Sequence, residues 1–280
     1  MISAHILVKD ESTFVWYSVM SVIRHVDKVL LFDMGSADGT KEIINEILTI
    51  PEFKNKVIFK ELPDDKEFDE RKIRQEMLEM SDTDWIILVD GDEIWWDGSI
   101  KKVISTINEK RKDIDSIVVP TVNLVGDIFH YQEEKAGRYH LAGKVGHYNL
   151  RAFRRNIASL HYVKPHGTTG LADENGTMIQ DRGNDKVILV DAPYMHATHL
   201  QRSGLAGKDK EVYKRAFKRK HELGIPFTND FYYPEVFFRL RPTDVPSVWK
   251  NMNFKFKFRA FFETPLRKIN RRYLPQKVGY

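Results

Sequence analysis

The stretch Trp85-Ile86-Ile87-Leu88-Val89-Asp90-Gly91-Asp92-Glu93 decides the fold and points to a site. Its apolar part is short and rich in β-branched side chains, which predicts a strand buried on both faces. Such a strand delivers Asp90 and Asp92 to the carboxyl edge of a sheet, where open α/β sheets bind ligands. Clustered carboxylate oxygens suit Mg²⁺ or Mn²⁺. The alternative interpretation is an ordinary Asp-Gly turn after a strand.

Two earlier predicted strands also end in acidic residues. Ile2–Val8 is followed by Asp10 and Glu11, and Lys28–Phe32 is followed by Asp33. Helical periodicity between the strands predicts βαβ units and therefore a parallel sheet. Because the carboxyl ends of parallel strands share one edge, we expect all these carboxylates to meet there. One Asp after one strand fits a turn, whereas three acidic strand ends in succession predict a site.

The rest of the chain continues the α/β pattern less regularly. Helices are predicted at 14–25, 41–48, 67–80, 100–109 and 208–223, and further strands at 57–62, 116–125, 148–154 and 186–190. Pro120 interrupts one of these strands, which predicts an edge strand or a bulge. Residues 127–146 are polar, aromatic and glycine-containing, and a long loop is expected there.

The composition limits the class of protein. The chain has 280 residues, of which 42% are hydrophobic and 30% charged, enough for one large domain or one domain with an appended part. No apolar run approaches the roughly 20 residues of a membrane span, and no secretory signal is recognised. Cysteine is absent, which excludes disulfides, thiolate metal sites and thiol nucleophiles. We therefore expect a cytoplasmic protein.

Positive charge is concentrated in the C-terminal part. Residues 201–280 carry 19 Lys and Arg against 7 Asp and Glu, whereas the other 200 residues carry 25 against 33. A basic segment on an acidic body predicts an anionic partner, and peripheral contact with a membrane is one possibility. Residues 254–262 alternate aromatic and basic side chains. The competing interpretation is an amphipathic strand or helix that lies on the body with its lysines solvated.

Three segments together resemble the family 2 glycosyltransferases of GT-A fold. Residues 9–11 are similar to the Asn-Glu element of that family, residues 26–40 to its Asp-x-Gly-Ser-x-Asp-Gly-Thr element, and residues 84–93 to its Asp-x-Asp element. The order and spacing of the three elements also agree. The resemblance implies an α/β fold of the Rossmann-like type, with a mostly parallel central sheet flanked by helices.

The resemblance also implies a domain organisation and an activity. A GT-A domain is expected at 1–203, with the nucleotide-sugar half at 1–98 and the acceptor half at 99–203, before a basic helical extension at 204–280. The protein would be a hexosyltransferase-type enzyme that depends on a metal and inverts the anomeric carbon. Its donor would be a nucleotide-sugar, most often a UDP-sugar. Mg²⁺ or Mn²⁺ would neutralise the diphosphate leaving group, and a general base would deprotonate the acceptor hydroxyl. The acceptor could be a glycan, a lipid-linked molecule or a protein. No nucleic-acid partner is expected.

Donor-binding roles follow from the resemblance residue by residue. Asp33 would accept hydrogen bonds from the nucleotide base, and Asp10 or Glu11 would flank the base and ribose. Arg74 is a candidate for contact with the pyrophosphate. Relatives carry an Arg-Asn pair at that point, and here Gln75 replaces the Asn.

The metal site is implied in the same way. Asp90 would lie near the ribose and the metal, and Asp92 would bind the metal directly. Related enzymes often complete the site with a histidine after a late strand. His196 and His199 compete for that role, and His199 is favoured because Arg202 follows it closely.

The general base has no single candidate. Residues 148–154 resemble an Arg-Leu-Phe-Arg segment that a His-Glu pair follows in relatives, and here 165–167 take that place with Gly instead of Glu. His166 has an ordinary pKa suited to proton transfer near neutral pH. Asp173 is the next carboxylate and fits the family's use of an acid. Asp127 is a more distant alternative.

Two other functions compete with sugar transfer. A sugar-nucleotide pyrophosphorylase would need a glycine-rich loop with Arg and Lys after the first strand, and none is present. A catalytically inactive binding module would keep the fold and use the basic segment to bind a membrane or polyanion. The intact Asp33, Asp90 and Asp92 argue against that alternative.

Overall fold

A mixed β-sheet forms the centre of the protein, and helices cover both of its faces. The computed structural model describes residues 1–64, 69–163, 169–183, 185–205, 208–212, 215 and 220–273. The strands are β1 (Ile2–Val8), β2 (Lys28–Asp33), β3 (Val57–Glu61), β4 (Trp85–Asp90), β5 (Glu93–Trp95), β6 (Ser116–Val125), β7 (Asp127–Tyr131), β8 (Tyr139–Leu141), β9 (Lys144–Gly146), β10 (Tyr148–Arg154), β11 (His161–Val163), β12 (Gly170–Ala172), β13 (Val187–Leu189), β14 (Tyr194–His196) and β15 (Ile225–Pro226). The helices are α1 (Val15–Val22), α2 (Thr40–Thr49), α3 (Glu70–Met80), α4 (Asp97–Lys110), α5 (Lys208–Glu211) and α6 (Phe254–Tyr273).

The first half of the sheet is parallel, as predicted. Strands β3, β2, β1 and β4 lie side by side in that order and run in one direction. Strand β10 then pairs with β4 and with β6 and runs antiparallel to both. The carboxyl ends of β1, β2 and β4 therefore share one edge of the sheet, which is where the sequence placed its acidic residues.

Burial on both faces explains the apolar run that identifies β4. Alternate residues of a strand face opposite sides of a sheet. In β1, Ile6 packs with α1 and α2, whereas its neighbour Leu7 packs with Met77 of α3. Ile86 and Ile87 of β4 face opposite sides and both have no exposed surface, so this strand has no solvent face that would require polar residues.

The segment 127–146 is not the long loop that was predicted. It contains β7, which pairs with β6, and a hairpin of β8 and β9. Pro120 does not mark an edge strand either, because β6 lies between β7 and β10. Two short strands also pair with β6. Strand β13 pairs with the part of β6 that ends at Val118, and strand β14 pairs with the part that begins at Thr121. Pro120 thus falls in the gap between two partners, where a missing N–H is tolerated.

Residues beyond the predicted boundary at 203 take part in the main core. Val236, Val245 and Val248 are buried in it, and the Phe237 ring meets the Tyr17 ring edge-on at 5.4 Å. Within the predicted helix 208–223, the described residues are helical in α5 and at Arg215, while residues 213–214 and 216–219 lie outside the described part. Residues 254–273 form helix α6, one of the two alternatives considered for this segment.

No helix in the described part of the chain combines the length and hydropathy required to cross a bilayer.

Candidate active site

The loop after β2 is a scaffold for the loop after β1. Ser36 Oγ accepts a hydrogen bond from Asp10 N at 2.7 Å, and Ala37 N donates to Asp10 Oδ1 at 2.8 Å. Thr40 Oγ1 accepts from Glu11 N at 2.8 Å. The second loop then enters α2 at Gly39, whose φ of +96° lies in the left-handed region that favours glycine. The Gly-Ser-x-Asp-Gly-Thr pattern therefore fixes where Asp10 and Glu11 stand.

Asp33 and Asp10 lie beneath this edge and do not line the open space above it. Asp33 has no exposed surface, and its Oδ1 accepts a hydrogen bond from Ser36 N at 2.7 Å. Its Oδ2 is buried, and none of the residues that the structure describes hydrogen-bonds to it. Burial raises the pKa of the Asp33 carboxyl above its ordinary value. The buried Oδ2 is a free acceptor at the position where the resemblance puts the nucleotide base.

A cleft of about 280 Å³ opens at this edge, between the ends of β1 and β4 and the segments around β10, β12 and β14. Its charged and polar lining residues are Lys9, Glu11, Glu70, Arg74, Asp90, Asp92, Tyr139, Asn149, Arg151, Tyr162, Thr169, Gln180, His196, Arg202 and Arg215. Five of the predicted site residues, Glu11, Arg74, Asp90, Asp92 and His196, are thus brought into one cleft. Three further arginines, Arg151, Arg202 and Arg215, join them.

Asp90 lies between two arginines. Arg74 Nη2 donates to its Oδ1 at 3.0 Å, and Arg151 Nη2 donates to its Oδ2 at 3.2 Å. Burial alone would raise the pKa of Asp90, but the charges of Arg151 and Arg74 outweigh it and keep the pKa well below its ordinary value. Arg74 is itself oriented by Glu70, which accepts from its Nε at 2.6 Å. Asp90 therefore stays ionised and fixed in direction.

Gln75, which departs from the family pattern, has a structural contact. Its side-chain oxygen accepts a hydrogen bond from Tyr162 N at 2.9 Å and so joins α3 to β11. Tyr162 lines the cleft, so this bond helps to shape its wall.

Asp92 is almost fully buried and faces one cation and one imidazole. Arg202 Nη1 lies 2.6 Å from Asp92 Oδ2, and His196 Nε2 lies 3.4 Å from the same oxygen. The register of β14 against β5 places His196 opposite Glu93, one residue after Asp92. His199, which the sequence favoured as the metal ligand, is buried and is not among the residues that line the cleft.

The donor set fits a metal that a diphosphate helps to hold. No group of three or more His, Asp and Glu side chains with the arrangement of a metal site occurs within the described ranges. Asp92 and His196 offer one hard oxygen and one imidazole, which Mn²⁺ accepts and Mg²⁺ accepts less readily. Phosphate oxygens and water would have to supply the other ligands, as is usual for Mg²⁺ at substrate phosphates.

Arg151 is a site residue whose function the sequence did not reveal. It pairs with Glu93, which has no exposed surface, as well as with Asp90. Its Nε donates to Tyr194 Oη at 3.1 Å, and Asn149 donates to the same oxygen. Burial raises the pKa of Glu93 to about 7 although Arg151 opposes the shift. The only signal was the likeness of residues 148–154 to a family segment, which gave Arg151 no role.

Arg202 and Arg215 close the site from the C-terminal side. Arg202 Nη1 lies 3.1 Å from Glu11 Oε1, and Arg215 Nη2 donates to the same oxygen at 2.6 Å. Arg215 also donates to the carbonyl oxygens of Lys9 and Asp10. Burial raises the pKa of Glu11 to about 8, while both arginines lower it. The sequence contained no signal that distinguished Arg215 from the other basic residues near it.

Neither carboxylate considered as a general base reaches the cleft. Asp173 Oδ1 accepts hydrogen bonds from the backbone N–H groups of residues 175 and 177 at 3.0 Å, and its Oδ2 accepts from Arg182 at 2.8 Å. Asp127 accepts from the backbone N–H groups of residues 129 and 252. Asp173 therefore fastens a local turn, whereas Asp127 joins β7 to the segment before α6, and neither is proposed as the base. His166 lies outside the described residues and stays a prediction.

The sequence matches the profile of Glycosyl transferase family 2 over residues 3–172. No curated protein sequence matches the chain significantly. Among solved structures, S. aureus TarS 1-349 in complex with UDP-GlcNAc is 12% identical over 78% of this chain and 66% of its own, with a TM-score of 0.48.

A longer S. aureus TarS structure is 13% identical, and the match covers 80% of this chain but only 44% of that one, with a TM-score of 0.45. The glucosyl-3-phosphoglycerate synthase from Mycobacterium tuberculosis, in complex with Mn²⁺, UDP and phosphoglyceric acid, is 15% identical over 81% of this chain and 80% of its own, with a TM-score of 0.46. Because the family profile covers more than half of the chain, this protein belongs to glycosyl transferase family 2 and is a glycosyltransferase.

Proposed function

We propose that the cleft binds a nucleotide-sugar, with a UDP-sugar as the first candidate, and that the enzyme transfers the sugar with inversion in a metal-dependent reaction. The observation that supports this most is the pairing of two carboxylates with different surroundings in one cleft. Asp92 stands 3.4 Å from His196, and Asp90 is fixed between Arg74 and Arg151. This difference supports Asp92 as the carboxylate that would share a cation, and Asp90 as the one that would bind neutral hydroxyls such as those of a ribose.

The nucleotide would lie at the β1 and β2 end of the cleft. Leu7, Lys9 and Met34 line that end, and the apolar side chains offer a surface to a base. Asp33 remains the proposed acceptor for the base, since its Oδ2 has no hydrogen-bond partner among the described residues. The carboxylate has no exposed surface, so the base can reach it only after a small shift of the residues that follow β2.

The diphosphate would lie between Asp92 and the arginines. Guanidinium groups match the geometry of phosphate oxygens and make strong, charge-assisted hydrogen bonds to them. Arg202 pairs with Glu11 and Asp92, and Arg215 pairs with Glu11 and Asp209, so a bound diphosphate would offer each arginine a further anionic partner. A divalent cation bound by Asp92 and His196 would supply further positive charge as the sugar leaves the diphosphate.

The acceptor would bind against the other wall of the cleft. Tyr139, Leu141, Leu171 and Gln180 line it and combine apolar surface with an amide and a hydroxyl. A single in-line displacement inverts the anomeric carbon and requires one base for the acceptor hydroxyl. We propose His166 for that proton, because Asp173 is engaged elsewhere. A glycan, a lipid-linked molecule and a protein all remain candidate acceptors.

A thermal-shift screen tests the donor site. UDP, GDP, ADP, CDP and TDP are added with and without Mn²⁺, and a ligand that binds the folded state must raise the Tm. We expect UDP to give the largest shift and Mn²⁺ to enlarge it. The Asp92→Asn variant should lose the Mn²⁺-dependent part, whereas Asp113→Asn, an exposed control, should keep it. No shift with any nucleotide would contradict the proposed donor site.

The same titration separates the two histidines. His196→Ala should raise the Mn²⁺ concentration needed for the shift by at least about tenfold, since even residues behind a metal ligand affect affinity to that extent. His199→Ala should leave that concentration unchanged. The reverse result would restore His199 as the ligand.

A further inference from the structure

Helix α6 (Phe254–Tyr273) is attached to the body through one face only. Phe256 and Ala260 are buried there, and a Cβ at Gly126 would lie 2.8 Å from the Phe256 ring, so the helix approaches the backbone closely. One turn further along, the Thr264 hydroxyl accepts a hydrogen bond from the backbone of the body at 3.0 Å. These contacts fix the rotation of the helix about its axis.

The opposite face of α6 carries large apolar side chains in a continuous row. We call this row the aromatic stripe, and it consists of Phe254, Phe258, Phe261, Phe262, Leu266, Ile269 and Tyr273. The exposed fraction of these residues ranges from 53% to 80%. At 3.6 residues per turn, the stripe is centred about half a turn from Phe256 and Ala260. It therefore cannot fold inward without detaching the helix.

Cations border the aromatic stripe on both sides. By the helical period, Lys257 and Lys268 lie along one border, Arg259 lies along the other, and Lys255 stands within the N-terminal end of the stripe. All four are exposed. The helix as a whole contains seven Lys and Arg and a single Glu. Apolar surface of this extent, framed by one sign of charge, is typical of an interaction site rather than of an ordinary solvated surface.

We propose that α6 docks on an anionic lipid bilayer, with the aromatic stripe in the headgroup region and the lysines against the headgroup charges. A helix with Phe and Leu on one face and Lys or Arg beside them lies in the plane of a membrane interface, and anionic lipids attract the cations. A second copy of the chain is a poorer partner, because two α6 helices joined by their stripes would bring like-charged borders together. This inference does not depend on the proposed donor or metal.

Vesicle co-sedimentation of the full chain tests the proposal. We expect binding to vesicles of phosphatidylcholine mixed with phosphatidylglycerol, and little binding to phosphatidylcholine alone. Phe258→Ser should weaken the partition by about tenfold or more, since a buried Phe side chain is lost from the interface. Lys257→Gln should weaken it by about fivefold.

Matched variants elsewhere serve as controls. Ile58→Thr removes an exposed apolar side chain from β3, and Lys54→Gln removes an exposed lysine from the body. Both should bind the mixed vesicles like the wild type. The proposal is overturned if the wild type binds neither vesicle, or if the controls lose as much binding as the α6 variants. It is also overturned if analytical ultracentrifugation shows a dimer that Phe258→Ser dissociates, because the stripe would then be covered by a second copy.

Discussion

Asp90 and Glu93 are three residues apart, yet the protein shifts their pKa values in opposite directions. Two arginines keep Asp90 ionised, whereas complete burial raises the pKa of Glu93 to about 7. Arg151 contacts both carboxylates from β10. The sequence reveals the acidic pair but not this difference, because the deciding partner comes from a strand 58 residues further along the chain than Glu93.

Replacing Arg151 with Met should destabilise the fold by about 3–5 kcal/mol, because the change leaves Glu93 buried without its partner. The double variant Arg151→Met/Glu93→Leu should recover part of that loss, since Glu93 is removed together with its partner while Asp90 retains only Arg74. Urea denaturation gives the free energy of unfolding for each variant. Arg111→Met, which breaks an exposed pair with Asp84, should cost less than about 1 kcal/mol. An Arg151→Met variant no less stable than Arg111→Met would contradict the argument.

Elements differ in how far their sequences reveal them. Strand β4 is predictable because a strand covered on both faces is an uninterrupted apolar run. Strands β8 and β9 are not, because most of their residues are exposed and show no apolar alternation. The distinction between His196 and His199 depends on the register of β14 against β5, which joins segments about a hundred residues apart. Local periodicity carries no information about such pairings.

Helix α6 is joined to the body by a buried ion pair that should respond to pH. Arg271 donates to Glu222 through both Nη atoms at 2.6 Å, with Gln132, Glu133 and Lys220 as the neighbouring polar groups. Burial raises the pKa of Glu222, but hydrogen bonds and the charge of Arg271 outweigh it and lower the pKa.

Because the folded pKa of Glu222 is depressed, its contribution to stability is present above the unfolded value, near 4.3, and is lost as the pH falls through the folded value. The wild type should therefore lose stability below about pH 4.3 more steeply than Glu222→Gln does. Melting temperatures measured from neutral to acidic pH check this. Identical slopes for the two proteins would show that Arg271 does not stabilise the ionised carboxylate.

At the scale of the whole molecule, the uneven charge distribution has two distinct uses. Part of the basic C-terminal segment returns to the acidic body, where Arg202 and Arg215 meet Glu11 at the edge of the sheet. Another part, on α6, stays exposed beside the aromatic stripe. The two interpretations of the basic segment that the sequence left open are therefore not exclusive. Net charge predicts that the protein binds anions. It does not show which Lys and Arg side chains line an internal site and which lie on an external surface.

Arg215 joins the C-terminal segment to the loop after β1, and its loss should affect both stability and donor binding. In Arg215→Ala, Glu11 retains only Arg202 as a close cation, and the carbonyl oxygens of Lys9 and Asp10 lose a buried donor. Breaking a buried pair of this kind costs about 3–5 kcal/mol.

Urea denaturation should therefore show a marked loss of stability for Arg215→Ala, and the KM for the donor should rise because the loop that carries Glu11 is no longer fixed. Lys210→Ala, an exposed neighbour, is the matched control and should leave both quantities unchanged. The conservative Arg215→Lys should restore part of the stability but less of the donor KM, since an ammonium cannot bind two carbonyl oxygens and a carboxylate in one plane. If Arg215→Ala keeps the wild-type stability and KM, the C-terminal segment does not organise the donor site.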